Sequence, residues 1–150
     1  MKQDAADFFV EPIIGSYYDP RTSIRTFDKD GCFSGYTYVT NSIRLHANKE
    51  AFMHFWKNTD RENICTTDYS FVPEKNAKYK ATSEEVSVPT GKRNFTISGW
   101  KPAMQVLCDI KLVKIDGDGN ETPVKIRGYR LTNDNQCSKL VPEKATTVIK

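Results

Sequence analysis

The sequence predicts an all-β, mainly antiparallel domain, either a small barrel or a sandwich, with one packed α-helix. Three observations carry that expectation. Short runs rich in Tyr, Phe, Val, Ile and Thr recur at close intervals, separated by Asp-Gly, Asp-Pro and lone Pro punctuation. Two long β-type segments, 104–115 and 122–131, flank Asp116-Gly117-Asp118-Gly119-Asn120-Glu121, which reads as a hairpin tip. Only one stretch, 48–58, spaces its apolar residues as a helix does.

Residues 4–11 are expected to form a helical turn or two, ended by Pro12. Strands follow at 13–18, 23–28 and 32–40, with Asp19-Pro20 turning between the first two. Asp30-Gly31 joins the next pair as a tight hairpin, glycine supplying the positive φ that such turns need. Within 33–40 the alternation puts Tyr36 and Tyr38 on one face and Thr37 and Val39 on the other. A short strand is expected at 42–46.

The helix is expected over 48–58. Asn48 suits an N-cap because its side-chain oxygen accepts an orphan backbone N–H. Phe52, Phe55 and Trp56 fall on one stripe, which would lie on the sheet or plug one end of a barrel. A polar loop at 59–63 leads to strands at 67–72, 77–81, 85–88 and 94–98, punctuated by Pro73, Pro89 and Gly91. A last strand is expected at 146–149. No internal repeat or linker divides the chain, so residues 1–150 read as a single β domain.

A chain of 150 residues can bury a real core unaided. Its 22 basic and 19 acidic residues leave a net charge of +3, too even and too dispersed for the basic stripe of a nucleic-acid binder. No run of five like charges suggests a membrane-surface anchor. No apolar run approaches the roughly 18 residues of a membrane span.

The four cysteines, Cys32, Cys65, Cys108 and Cys137, are dispersed, with no C-x-x-C pair and only two histidines in the chain. That pattern fits two disulfides in an oxidising compartment, hence a secreted or periplasmic protein. The segment Met1–Asp7 has no apolar signal core, so an exported protein would be in its mature form. Three pairings are open. Cys32–Cys65 with Cys108–Cys137 is favoured, because each closes a loop of roughly 30 residues, contributing about 3–4 kcal/mol in the chain-entropy model.

Candidate chemistry is sparse. Asp116, Asp118 and Asn120 have the D-x-D-x-N spacing of a calcium loop. Glu121 stands where the loop glycine belongs, Arg127 where the bidentate glutamate belongs, and Lys114 and Lys125 add positive charge. The tip therefore reads as a turn, and no metal or other cofactor is expected. His54 lies among Phe52, Met53, Phe55 and Trp56 without a nucleophile's context. Glu84 and Glu85 are strand neighbours that point to opposite faces and cannot share a proton. No glycine-flanked serine or phosphate-cradling loop is present, so the chain is not expected to be an enzyme. Two Asn-x-Thr sequons, at Asn94 and Asn120, would be relevant in a eukaryotic secreted protein.

The run Ile14-Gly15-Ser16-Tyr17 with Phe27-Asp28-Lys29-Asp30-Gly31-Cys32-Phe33 resembles the opening of bacterial lipocalin-like domains, which reach a Phe-x-x-Asp-Gly-x-Phe hairpin. The likeness covers about 20 residues of the 150. It implies a β-barrel whose function is binding.

Two binding functions follow. In the first, an exported, non-catalytic protein recognises a protein partner, as an inhibitor or immunity protein of a hydrolase or toxin. Its anchors would be Trp100 and Lys101, in the strand break Ser98-Gly99-Trp100-Lys101-Pro102, or the tip residues Asp116, Asp118 and Asn120. In the second, a lipocalin-like carrier holds a small apolar ligand inside the barrel, lined by Tyr36, Tyr38 and Tyr129. The many large aromatics, which would fill a small barrel, favour the first.

Overall fold

A computed structural model describes residues 4–10, 20–58, 64–134, 136–143 and 147–148 of the chain. Strands supply the regular structure, with no helix among the described residues. In chain order they are β1 (Ala5–Phe9), β2 (Arg21–Phe27), β3 (Phe33–Val39), β4 (Ser42–His46), β5 (Ala51–Asn58) and β6 (Ile64–Phe71). The second half adds β7 (Lys78–Thr96), β8 (Gly99–Ile115), β9 (Glu121–Pro123), β10 (Arg127–Asp134), β11 (Cys137–Glu143) and β12 (Thr147–Val148).

Two sheets form. The first runs β12-β8-β7-β1-β4, with β9 also paired to β8; the second runs β11-β10-β6-β5-β2-β3. Every pairing is antiparallel except that of β1 with β7. The sheets share one core: Phe8, Tyr79 and Leu112 of the first pack with Met53, Tyr69 and Phe71 of the second. Phe71 spans the interface, its ring centroid 6.0 Å from Phe8 and 5.1 Å from Tyr79. Between the layers, beside Phe55, Ala81 and Ile110, only about 10 Å³ stays empty, enough for a water at most. The barrel expected as one alternative is therefore not closed, and two facing sheets stand in its place.

Several expectations are corrected. Within the segment read as a helical turn at 4–11, Ala5–Phe9 is β1, where Ala6 and Phe8 go inside and Asp7 and Phe9 point away. That is a period of two, not 3.6.

The helix expected over 48–58 is β5. Asn48 has φ of 64°, whereas an N-cap takes an extended φ, and it belongs to the turn between β4 and β5. Ala51, Met53 and Phe55 are buried toward the first sheet. Phe52, His54 and Trp56 line the opposite face. Apolar side chains on both faces of a strand fill i, i+3 and i+4 as readily as a helix stripe does.

The three short strands expected between residues 77 and 98 are one strand, β7, which runs through Pro89 and Gly91. The expected strand at 13–18 and the expected loop at 59–63 lie outside the described residues.

The cysteine pairing also differs. Cys32 bonds Cys137, 105 residues away, with Cα atoms 5.4 Å apart. Neither Cys32–Cys65 nor Cys108–Cys137 is therefore formed. Cys65 is also disulfide-bonded; the Cys108 side chain lies outside the described ones. The reason is topological. Cys32 precedes β3 and Cys137 opens β11, and these are the two edge strands of the second sheet. No ladder joins β3 to β11 among the described residues, so the bridge clips together the margins of a curled, open sheet.

Candidate functional site

β7 and β8 pair along nearly their whole length, from Lys78 opposite Ile115 to Thr96 opposite Gly99. The proximal part belongs to the first sheet through β1, β9 and β12. Beyond Pro89 and Met104 neither strand pairs with a third among the described residues, and the side chains on both faces are exposed or half-exposed. The result is a free-standing two-stranded arm.

Its base carries a bulge. Pro89 opposes Met104 and Arg93 opposes Pro102, leaving Thr90, Gly91 and Lys92 across from Ala103. Gly91 takes a φ of 86°, which favours glycine, and the Thr90 hydroxyl donates to the Ala103 carbonyl at 3.1 Å. Pro89 and Pro102 offer no N–H, which guards the exposed edges against pairing with another chain.

The tip closes over Ile97 and Ser98, where the Thr96 hydroxyl donates to the Gly99 carbonyl at 2.8 Å. Trp100 is thus the second residue of β8 rather than part of a loop between strands. It faces Phe95 across the ladder with ring centroids 5.4 Å apart, edge to face. Such a pair contributes about 0.5–1.5 kcal/mol beyond burial and stiffens an otherwise marginal hairpin. The rings stay open to solvent, Phe95 at 71% and Trp100 at 65% exposure, while Ile97 is wholly exposed and Met104 more than half. Between Thr90 and Met104 the charged residues are Lys92, Arg93 and Lys101, with no Asp or Glu. Apolar bulk within a cationic surround is the chemistry of the arm.

The Asp116–Asn120 tip is built differently. The Asp116 Oδ1 accepts the backbone N–H groups of Asp118 and Asn120, both at 2.9 Å. Asn120 then accepts from the Asp116 N–H, and Gly119, at φ of 84°, donates to the Asp116 carbonyl. The Asn120 N–H, helped by that of Asp118, holds the Asp116 carboxyl below its usual range. The β2–β3 hairpin repeats the pattern, with the Asp28 Oδ1 accepting from Asp30 and Cys32 and Gly31 in the left-handed region. Both turns read D-x-D-G in sequence, so the Asp116 carboxylate serves its own turn. No group of three or more possible metal ligands converges among the described residues.

The two predicted anchors lie at opposite ends of β8, whose 17 residues span on the order of 50 Å. A partner surface of standard size cannot take both as one epitope.

The tyrosines of the carrier alternative separate. Tyr129 is buried, its ring 5.5 Å from Phe52, and its hydroxyl donates to the Met53 carbonyl at 2.9 Å. Tyr36 and Tyr38 stand exposed on β3 with ring centroids 5.1 Å apart. They line a groove of about 560 Å³ on the face of the second sheet that points away from the first. Phe33, His54 and Trp56 share its walls. Arg21, Ser23 and Arg25, at alternate positions of β2, form its floor.

Arg25 is tied down there. Its Nη1 is 3.4 Å from Asp68 Oδ1, its Nη2 is 3.1 Å from His54 Nδ1, and its guanidinium lies over the Phe33 ring. His54 Nδ1 is 2.6 Å from the same Asp68 oxygen, to which it donates when it carries the ring proton. Sequence reasoning missed this cluster. The signal was the period-two alternation Arg21-Thr22-Ser23-Ile24-Arg25, and reading 48–58 as a helix separated His54 and Trp56 from it. No family model, curated protein or solved structure matches this chain.

Proposed function

We propose that this chain is an exported, non-catalytic binding protein that docks on a protein partner through the tip of the β7–β8 arm, as an inhibitor or immunity protein does on a hydrolase or toxin. The observation that carries the reading is the arm tip, where Phe95, Ile97 and Trp100 are held open to water amid Lys92, Arg93 and Lys101. Exposed bulky side chains cost solubility, and a contiguous apolar tip rimmed by charge marks an interaction surface. Burying each of them in a partner contributes roughly 1.5–3 kcal/mol, and Trp is the residue most enriched at binding hot spots. The cation rim calls for an apolar cleft with an acidic margin. Export is consistent with the Cys32–Cys137 disulfide.

The test is affinity capture from the source organism's lysate and culture fluid with three baits: the native chain, Trp100→Ala and Ile97→Asp. One protein recovered stoichiometrically by the native chain and lost with both variants supports the reading. A partner retained by both variants, or binding of the native chain to anionic vesicles with no protein recovered, overturns it.

A further inference from the structure

The groove on the second sheet contains a cation, Arg21, that no described residue neutralises. Arg25 is balanced by Asp68, but Arg21 has no ion pair or hydrogen bond among the described residues. Its Nε is shut off from solvent and meets no acceptor there. A buried, unpaired N–H of a charged group is a standing cost, and an incoming oxyanion relieves it with a charge-assisted, fork-like pair.

The surroundings say what that anion must carry. Trp56 is the direct cross-strand neighbour of Arg21, and Tyr38 that of Ser23. Tyr36 stands opposite Arg25, edge to face with Tyr38. Side chains at alternate strand positions follow one another at roughly 7 Å, so Arg21 and Ser23 can meet two oxygens of one small group. The flat walls formed by Trp56 and the two tyrosines favour a planar or flat apolar body beside it. A volume of about 560 Å³ lies within the range of small-molecule sites.

We propose that the groove binds a small organic anion, a carboxylate or phosphate monoester joined to a planar apolar body, with the oxyanion on Arg21 and Ser23 and the body against Trp56, Tyr36 and Tyr38. A wholly apolar ligand leaves the Arg21 N–H unmet and is disfavoured. The proposal is independent of partner docking by the arm, and the two are read at different tryptophans.

The chain has two tryptophans, Trp56 and Trp100, so its labelled spectrum holds two indole N–H cross-peaks, assigned by the loss of one in Trp100→Phe. Titration with 1-naphthyl phosphate, 1-naphthoate and neutral 1-naphthol is expected to shift the Trp56 peak saturably with either anion. Whichever anion binds tighter identifies the headgroup. Affinity should fall at least about tenfold for naphthol and for Arg21→Gln. Arg21→Lys should restore the preference for anion over naphthol, with thermal unfolding of both variants checked alongside. No saturable shift at Trp56, equal affinity for naphthol and naphthoate, movement of the Trp100 peak alone, or undiminished binding by a folded Arg21→Gln would each overturn the proposal. The comparison of naphthol with naphthoate on the native chain decides the matter if Arg21→Gln does not fold.

Discussion

Tyr69 places its hydroxyl inside the core with no hydrogen-bond partner among the described residues, whereas Tyr129 donates its own to the Met53 carbonyl. Burial pushes both phenols well above their usual value, with the neighbouring Asp68 carboxylate adding to the effect at Tyr129, so neither ionises in the folded protein. The same deletion should therefore act in opposite directions. Tyr69→Phe removes an unsatisfied polar group and is expected to stabilise by about 1 kcal/mol; Tyr129→Phe strands a carbonyl and is expected to cost about 1 kcal/mol. Urea unfolding midpoints at constant slope would measure both, and a shift of the same sign in the two variants would refute the assignment.

Asp116 gives a second residue-scale expectation. Backbone N–H groups from Asn120 and Asp118 stabilise its charged form and lower its folded pKa. A depressed carboxylate contributes stability above its unfolded pKa and loses it as pH falls through the folded value. Asp116→Asn keeps the acceptor oxygen without the charge. The melting-temperature gap between native chain and variant should hold level from pH 6 to the ordinary carboxylate value of 3.8 and narrow below it, and a gap still unchanged at pH 2 would contradict the turn role.

At the scale of elements, the hairpins were the most legible part of the sequence. Asp28–Cys32 and Asp116–Asn120 announce themselves because Asx and glycine at fixed offsets can satisfy a tight turn by purely local hydrogen bonds. The length of β7 was not legible. Pro89 and Gly91 normally end strands, yet here they fall in a bulge that the Thr90 hydroxyl bridges. β5 was misread because its two faces serve two environments, core and groove, which erases the alternation a one-sided strand shows. The same cause hid the Arg21 groove, since cross-strand neighbours such as Trp56 are 35 positions away in sequence.

The arm leads to an expectation of its own. Because Ile97 and Trp100 make few intramolecular contacts beyond the Phe95 pair, Ile97→Ser and Trp100→Ala should change global stability by less than about 1 kcal/mol. Unchanged thermal unfolding beside abolished partner capture is the expected result. A large loss of stability in either variant would mean the tip is structural.

At the scale of the whole molecule, a covalent link joins the two edge strands of the second sheet. β3 is held on one side by β2, and its other margin, which joins no ladder among the described residues, is tied to β11 by Cys32–Cys137. Closing a loop of this length removes chain entropy worth roughly 4–5 kcal/mol from the unfolded state. The bridge also acts locally, because β3 carries Tyr36 and Tyr38, which form one wall of the groove. The double variant Cys32→Ser/Cys137→Ser should lower stability by several kcal/mol. Its losses should not be uniform. Amides of β3 and β11 are expected to lose hydrogen-exchange protection first, while β5 and β6, flanked by strands on both sides, keep theirs until global unfolding. Equal loss across both sheets would mean that the bridge acts through the unfolded chain alone. Loss confined to the margins would mean that it holds the curl, and with it the spacing between the tyrosines of β3 and the arginines of β2.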